Sequence, residues 1–411
     1  MKALGTTRLG ARVKNSWALF TVAAVAIAYG LATASTLQAA SSPPGLSVGK
    51  DGTLEKSGAP YRGIGVNYFD AFRRVLLDPA DTSYDRGFQV LARHGVPFAR
   101  FLCSGFWPSE MRLYQEDRPA YFRRLDALIA AAEKHGIGLI ASLFWQSSTV
   151  PDLVGEPRDA WGNPQSKTHA YLRTYVREVV TRYQKSPAIW GWEFGNEYNL
   201  LADLPNASSQ RPTVAPHLGT PDERSGRDDV THEMIRIAFT AFAREVRKYD
   251  SHRILSTGNS FPRRSAWHQK TQKTWTQDTP VQQTEMLLGD NPDPMDTLSI
   301  HAYGDGAVAS IRFARAVSAK CKKPVFIGEF GAKGTGQKGE EEFHSLLEEI
   351  ERARVPLAAV WVFDYGQQVN LNITASNTRA YQLKALALAN RRIEKTAGKK
   401  RPSTAPQDPR Q

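Results

Sequence analysis

Eight short apolar runs, at residues 61–67, 98–103, 138–144, 189–196, 253–257, 297–302, 325–329 and 358–363, are separated by stretches with helical periodicity. The runs have strand length and are rich in aromatic and aliphatic types. The helical stretches are expected at 83–94, 118–135, 167–183, 228–249, 307–319, 339–353 and 377–394. In 118–135, Phe122, Leu125, Leu128, Ile129 and Ala132 recur at threes and fours, and His135-Gly136 closes the pattern as a glycine stop. A helix-length crossover returns the chain to the same end of a sheet, so strands joined this way pair in parallel. Eight such units predict an α/β fold, a closed (β/α)8 TIM barrel in a single domain. The 411 residues fit a barrel of roughly 250 residues with extended loops. The longest connections follow strand four (198–227) and strand five (258–296), well beyond the usual few residues of a βα loop, and are expected to be functional or partly disordered.

The chain ends carry most of the charge. Residues 1–40 combine Lys2, Arg8, Arg12 and Lys14 with an apolar stretch from Ala18 to Leu31 and small residues after it, the pattern of a bacterial secretory signal. The apolar stretch is short for a membrane span, so cleavage is favoured over a retained anchor. Of the net +12, +4 lies before residue 41 and +5 after residue 390, leaving +3 for the body. That distribution argues against nucleic-acid binding. The expected layout is a signal at 1–40, a barrel at 41–395 and a basic, disordered tail at 396–411, in a secreted or periplasmic monomer without stable membrane insertion. Cys103 and Cys321 fall at opposite rims of such a barrel, so no disulfide is expected.

Barrel chemistry belongs at the C-terminal strand ends. Those ends supply Asn67, Arg100, Trp145, Asn196 and Glu197, then His301 and Tyr303, then Glu329 and Trp361. Two runs stand out: Trp190-Gly191-Trp192-Glu193-Phe194-Gly195-Asn196-Glu197 and Val325-Phe326-Ile327-Gly328-Glu329-Phe330-Gly331. Each is an apolar strand ending on a glutamate. Two carboxylates at one barrel mouth are what glycoside hydrolysis uses, one as acid/base and one as nucleophile. A carboxylate leaving an apolar strand is desolvated, which raises its pKa and suits Glu197 to the acid role; an arginine at the same mouth, Arg100, can orient the other carboxylate and lower the pKa there. Carboxyl groups about 5–5.5 Å apart are expected for a retaining reaction. Trp107, Trp145 and Trp161 are candidate sugar platforms on the upper loops. Trp267, His268 and Trp275, on the loop after strand five, are equally an added cleft wall or rim packing. Asp and Glu show no metal-ligand spacing, so no metal and no cofactor is expected.

The order Arg, Asn-Glu, His-x-Tyr, Glu and Trp on strands two, four, six, seven and eight resembles the clan A glycoside hydrolases, and most of all glycoside hydrolase family 5, which holds cellulases and β-mannanases. The resemblance spans roughly residues 60–370. It implies Glu197 as acid/base and Glu329 as nucleophile, with Asn196 on the sugar 2-hydroxyl, Arg100 and Tyr303 positioning Glu329, His301 lining the catalytic subsite and Trp361 as its stacking platform. Leu143-Phe144-Trp145-Gln146 lacks the histidine that many cellulases of the family carry near the end of strand three, which leans toward the mannanase-like branch. The expected partner is a polysaccharide or oligosaccharide, β-mannan or a related β-1,4-glycan. Rival readings with the same residues are an endo-β-glucanase, a transglycosylase or a carbohydrate-binding pseudoenzyme.

Overall fold

The computed structural model describes residues 44–398. The expected signal (1–40) and residues 399–411 of the expected tail lie outside that range. Eight parallel strands form the central sheet: β1 (Gly63–Asn67), β2 (Phe98–Leu102), β3 (Gly138–Phe144), β4 (Ile189–Gly195), β5 (Ile254–Ser256), β6 (Leu298–Tyr303), β7 (Val325–Gly331) and β8 (Leu357–Val360). Their hydrogen-bonded order runs β5-β4-β3-β2-β1-β8-β7-β6. The seam between β5 and β6 is closed mostly by side chains. The amide of Leu255 donates to Asp296 Oδ2 at 2.7 Å, and Asn291 Oδ1 accepts from Ser299 N at 2.9 Å and Thr257 Oγ1 at 2.8 Å. A three-residue β5 is too short to supply a full ladder, and Asn291 and Asp296 stand in for it.

The helices Ser83–Arg93, Arg118–His135, Lys167–Tyr183, His232–Arg247, Ala307–Cys321, Gly336–Arg352 and Ala380–Gly398 follow seven of the strands. Asp117 caps Arg118–His135 by accepting from the amide of Ala120 at 2.9 Å, and Gly136 ends it in the left-handed region. The last helix runs to Gly398, so the tail begins inside regular structure rather than at residue 396. Both long connections are ordered. The one after β4 is built of single turns, and the one after β5 holds two helices, Ala266–Gln272 and Pro280–Gly289. Cys103 and Cys321 are both free thiols.

Inside the barrel, β2 shows the layering. Ala99 and Phe101 point outward into the helix-packed core. Phe98, Arg100 and Leu102 point inward at three levels. Phe98 joins Ile140, Trp190, Ile254, Phe326 and Leu357 in an apolar floor. Leu46 and Leu54, from a small antiparallel sheet (Leu46–Val48, Leu54–Lys56, Ala59–Pro60), pack beneath that floor. Leu102 joins Phe69, Trp145, Trp361 and Tyr365 at the top. The small sheet was not expected from the sequence. It covers the N-terminal mouth, leaving the C-terminal mouth as the open one.

Candidate active site

Between floor and rim lies a polar layer centred on Arg100, which is fully buried. Its guanidinium donors are all engaged. Nε donates to Glu193 Oε1 at 2.7 Å. Nη1 donates to Asn67 Oδ1 and to Glu329 Oε1, both at 3.0 Å. Nη2 donates to Asn196 Oδ1 at 2.9 Å and more weakly to the carbonyl of Gly195 at 3.4 Å. The indole of Trp145 lies 4.3 Å from the guanidinium carbon, covering its face. A planar fork with five donors is the side chain suited to hold two carboxylates and two carboxamides at once.

Glu329 sits at the end of β7, bound on one oxygen by Arg100 and on the other by the Tyr303 hydroxyl at 2.9 Å. Glu197 follows β4 with φ +54°, in the left-handed region that a side chain rarely adopts. Strain of this kind concentrates at functional sites. Its amide is held by the carbonyl of Gly258 at 2.9 Å. A Cβ on Gly258 would meet the Gly195 carbonyl at 1.8 Å, so only glycine lets the loop after β5 pass this close to β4. The Glu197 side chain is 34% exposed against 7% for Glu329. His301 Nδ1 lies 2.8 Å from Glu197 Oε1 and 3.6 Å from Glu329 Oε2. One oxygen of each glutamate and a ring nitrogen of His301 fall within 4.8 Å of one another. Two glutamates this close can both reach one glycosidic bond.

The other expected residues separate into two groups. Trp145 and Trp361 form an aromatic wall with Phe69; the two indoles are 6.0 Å apart and Phe69 is 4.8 Å from Trp145. Gln368 accepts from Trp361 Nε1 at 2.6 Å. Asn67 is fully buried and touches Arg100, so it orients that side chain rather than meeting a ligand. Trp161 is also buried, donating to the Ser147 carbonyl and packing on Phe194, which removes it as a sugar platform. Phe106 lines the cleft beside Trp145 and Glu197, while Trp107 packs against Phe106 and is not among the lining residues. Glu193 was missed. It is wholly buried, accepting also from Ser256 Oγ at 3.2 Å. The signal was present, since an ionisable residue inside the run Trp192-Glu193-Phe194 must find a charge partner.

Residues 85–366 match the family pattern for cellulase, glycosyl hydrolase family 5. The chain belongs to that family. Among curated relatives, a probable mannan endo-1,4-beta-mannosidase F of Aspergillus flavus is 37% identical over 81 residues, which cover 18% of this chain and 17% of the relative. The chain therefore spans about a sixth of the length of the curated relatives it matches. An endo-1,4-beta-mannanase of Rhizomucor miehei superposes with a TM-score of 0.61 at 15% identity, covering 85% of this chain and 99% of that one. A family 5 enzyme of Streptomyces cattleya in complex with GlcNAc gives 0.57 at 17% identity, covering 85% and 83%. At these identities the likeness carries the barrel fold.

In this family 5 barrel the electrostatics of the two glutamates differ from the sequence expectation. Burial pushes Glu329 above the ordinary carboxylate range and the charge of Glu197 adds to it, against the pull of His301, Arg100 and Tyr303. Burial acts on Glu197 as well, but the His301 hydrogen bond and the charges of His301 and Arg100 outweigh it and hold Glu197 below that range. The expected order was the reverse, because the contact between His301 and Glu197 joins strands far apart in the chain and has no sequence signature. Burial also keeps the Tyr303 hydroxyl protonated as a donor to Glu329. The Glu197–His301–Glu329 cluster is the one place among the described residues where three metal-ligating groups converge. A cation there would sit against the Arg100 guanidinium, 3.0 Å from Glu329, which disfavours metal binding.

Proposed function

We propose that this protein is a retaining β-glycoside hydrolase acting on β-mannan or a related β-1,4-glycan. The observation that carries the reading is the pair of glutamates at one barrel mouth, within 4.8 Å of each other through a carboxylate oxygen each. Arg100 and Tyr303 stabilise Glu329 as an anion, which suits it to attack the anomeric carbon. Glu197, the more exposed of the two, faces the cleft and protonates the leaving oxygen. In the second step Glu197 takes a proton from water, whose oxygen displaces Glu329 and restores the configuration. Two close carboxylates in a buried site retain one proton between them. Catalysis needs that proton on Glu197, so a substrate oxygen must take up the place His301 holds beside Glu197 Oε1. Asn196, its carboxamide oxygen fixed by Arg100, presents Nδ2 to a sugar hydroxyl, and Trp361 with Trp145 offers the stacking wall.

The mannan preference is supported by the curated relatives and by the absence of a histidine in Leu143-Phe144-Trp145-Gln146. A secreted or periplasmic monomer, with residues 1–40 as signal and 41–395 as the catalytic domain, belongs to the same proposal. Among the described residues no helix is long and apolar enough to cross a membrane. The test is a panel of β-mannan, glucomannan, cellulose, xylan and aryl β-glycosides with wild type and Glu197→Ala. The variant loses about 10²–10⁴-fold on the polymers and less on aryl glycosides whose leaving group needs no acid. Equal rates for both proteins on every substrate would remove Glu197 from the acid/base role.

A further inference from the structure

The open mouth has two unlike sides. On the β1, β3 and β8 side stand the aromatic residues Phe69, Trp145, Trp361 and Tyr365. On the β5 and β6 side is a cavity of about 500 Å³ reaching His301 and Tyr303, lined also by Ser260, Arg263, Arg264, Gln277 and Gln283. Its lining contains two guanidinium groups and no carboxylate. Arg263 also reaches the neighbouring cavity, of about 510 Å³, in which Arg158 and Arg211 appear and Glu197 is the sole carboxylate.

The arginines differ in how far they are already neutralised. Arg211 is paired with Asp229 at 2.8 Å. Arg158 donates to the carbonyl of Asp228 and to Ser147, also without a carboxylate partner, and is buried. Arg263 donates only to the neutral carbonyl of Leu200, at 3.0 and 2.9 Å, which holds its plane while leaving its charge uncompensated. Arg264 is exposed beside Gly306 and has no ion-pair partner among the described residues. Other arginines, such as Arg62, Arg124 and Arg236, also meet only carbonyls, so what sets Arg263 and Arg264 apart is their place in the lining of a cavity that reaches His301 and Tyr303. The body of the chain carries only +3, so a basic flank beside the glutamates is not the spill-over of a uniformly basic surface. Two guanidinium groups without a carboxylate partner border one sugar-sized cavity, and the planar fork matches a carboxylate in bidentate geometry.

We propose that the Arg263–Arg264 cavity is a subsite for an acidic sugar, so that the preferred substrate is a β-1,4-glycan carrying uronic acid units rather than a wholly neutral one. The proposal rests on the glycosidase reading for its catalytic consequence and on the cavity alone for its binding consequence. The aromatic side grips neutral sugar faces. The arginine side reads the C6 carboxylate of a unit across the cleavage point.

The experiment uses β-1,4-mannan and the same mannan lightly oxidised at C6, with a lightly sulfated mannan as a third arm, each at low and high salt. The expected ratio of kcat/KM, oxidised over neutral, is roughly tenfold at low salt for two charge-assisted contacts, and it shrinks as salt screens them. Arg264→Gln brings that ratio toward one and Arg264→Glu inverts it. A gain for sulfated as large as for oxidised mannan would overturn the carboxylate assignment. A ratio of one in the wild type, or one unchanged in Arg264→Gln, would overturn the subsite. Should the wild type cleave no glycan, calorimetry with the same polymers still decides the matter. Salt-sensitive binding of oxidised mannan that is lost in Arg264→Gln supports the cavity while the glycosidase reading falls. Equal or absent binding of oxidised and neutral mannan overturns the cavity.

Discussion

Arg100 shows how one buried cation sets the geometry of the mouth. It is fully buried, and so is Glu193, its counter-charge on β4. Removing one partner of such a pair strands the other, at a cost of about 3–5 kcal/mol. Glu193→Ala is therefore expected to lose that much stability in urea unfolding and to lower kcat, because Arg100 then turns from Glu329. A change within about 1 kcal/mol would show that Arg100 is compensated otherwise. The His301 contact gives a pH prediction. His301 lowers the pKa of Glu197 through its hydrogen bond and charge, so His301→Asn should let it rise. The acid form of Glu197 then persists to higher pH, and the alkaline limb of kcat/KM moves up. A limb that stays or moves down would contradict Glu197 as the acid. Glu197, Glu329, Asn196, His301 and Tyr303 were legible because each stands at or near the C-terminal end of a strand, and Arg100 because it is a charge inside an apolar one. Phe69, Phe106 and Gln368 were not, since loop side chains reach the cleft by paths that no sequence spacing records.

Among the elements, the connection after β5 departs furthest from a plain barrel. Its helix Ala266–Gln272 is capped from outside by Asp278, which accepts from the amides of Trp267 at 2.9 Å and His268 at 3.2 Å, and from His268 Nδ1 at 2.7 Å. Asp278→Ala should cost about 1–2 kcal/mol locally. Hydrogen exchange at the Trp267 and His268 amides should accelerate accordingly, with the barrel strands unchanged. Equal exchange in both proteins would mean the helix stands without this cap. Helix periodicity found Arg118–His135 and Lys167–Tyr183 to the residue, because both carry a cap and a continuous apolar stripe. It missed Ala266–Gln272 and Pro280–Gly289, whose few buried residues leave no stripe to read.

Over the whole molecule, strict alternation of strand and helix made the barrel legible, whereas the small sheet beneath it left no trace, its strands being two or three residues long. Acid stability follows from the buried ion pairs. Asp203 is held well below the usual carboxylate range: burial opposes this, but the bonds from His232 and the contact with Lys273 prevail. A depressed folded pKa adds stability that is complete above the unfolded value of about 3.9 and is lost as pH falls below it. The Tm should therefore drop between pH 5 and pH 2, and Asp203→Asn should show a smaller drop from a lower start. An equal drop in both would place the acid sensitivity elsewhere. In the proposed mechanism Glu329 attacks the sugar while Glu197 supplies the proton. The test is to incubate the protein with a 2-deoxy-2-fluoro β-mannoside bearing an activated leaving group, then locate the added mass by peptide mapping. One fluorosugar bound to Glu329 is the predicted result. A sugar adduct on another residue, or turnover with an inverted product and no adduct, would contradict it.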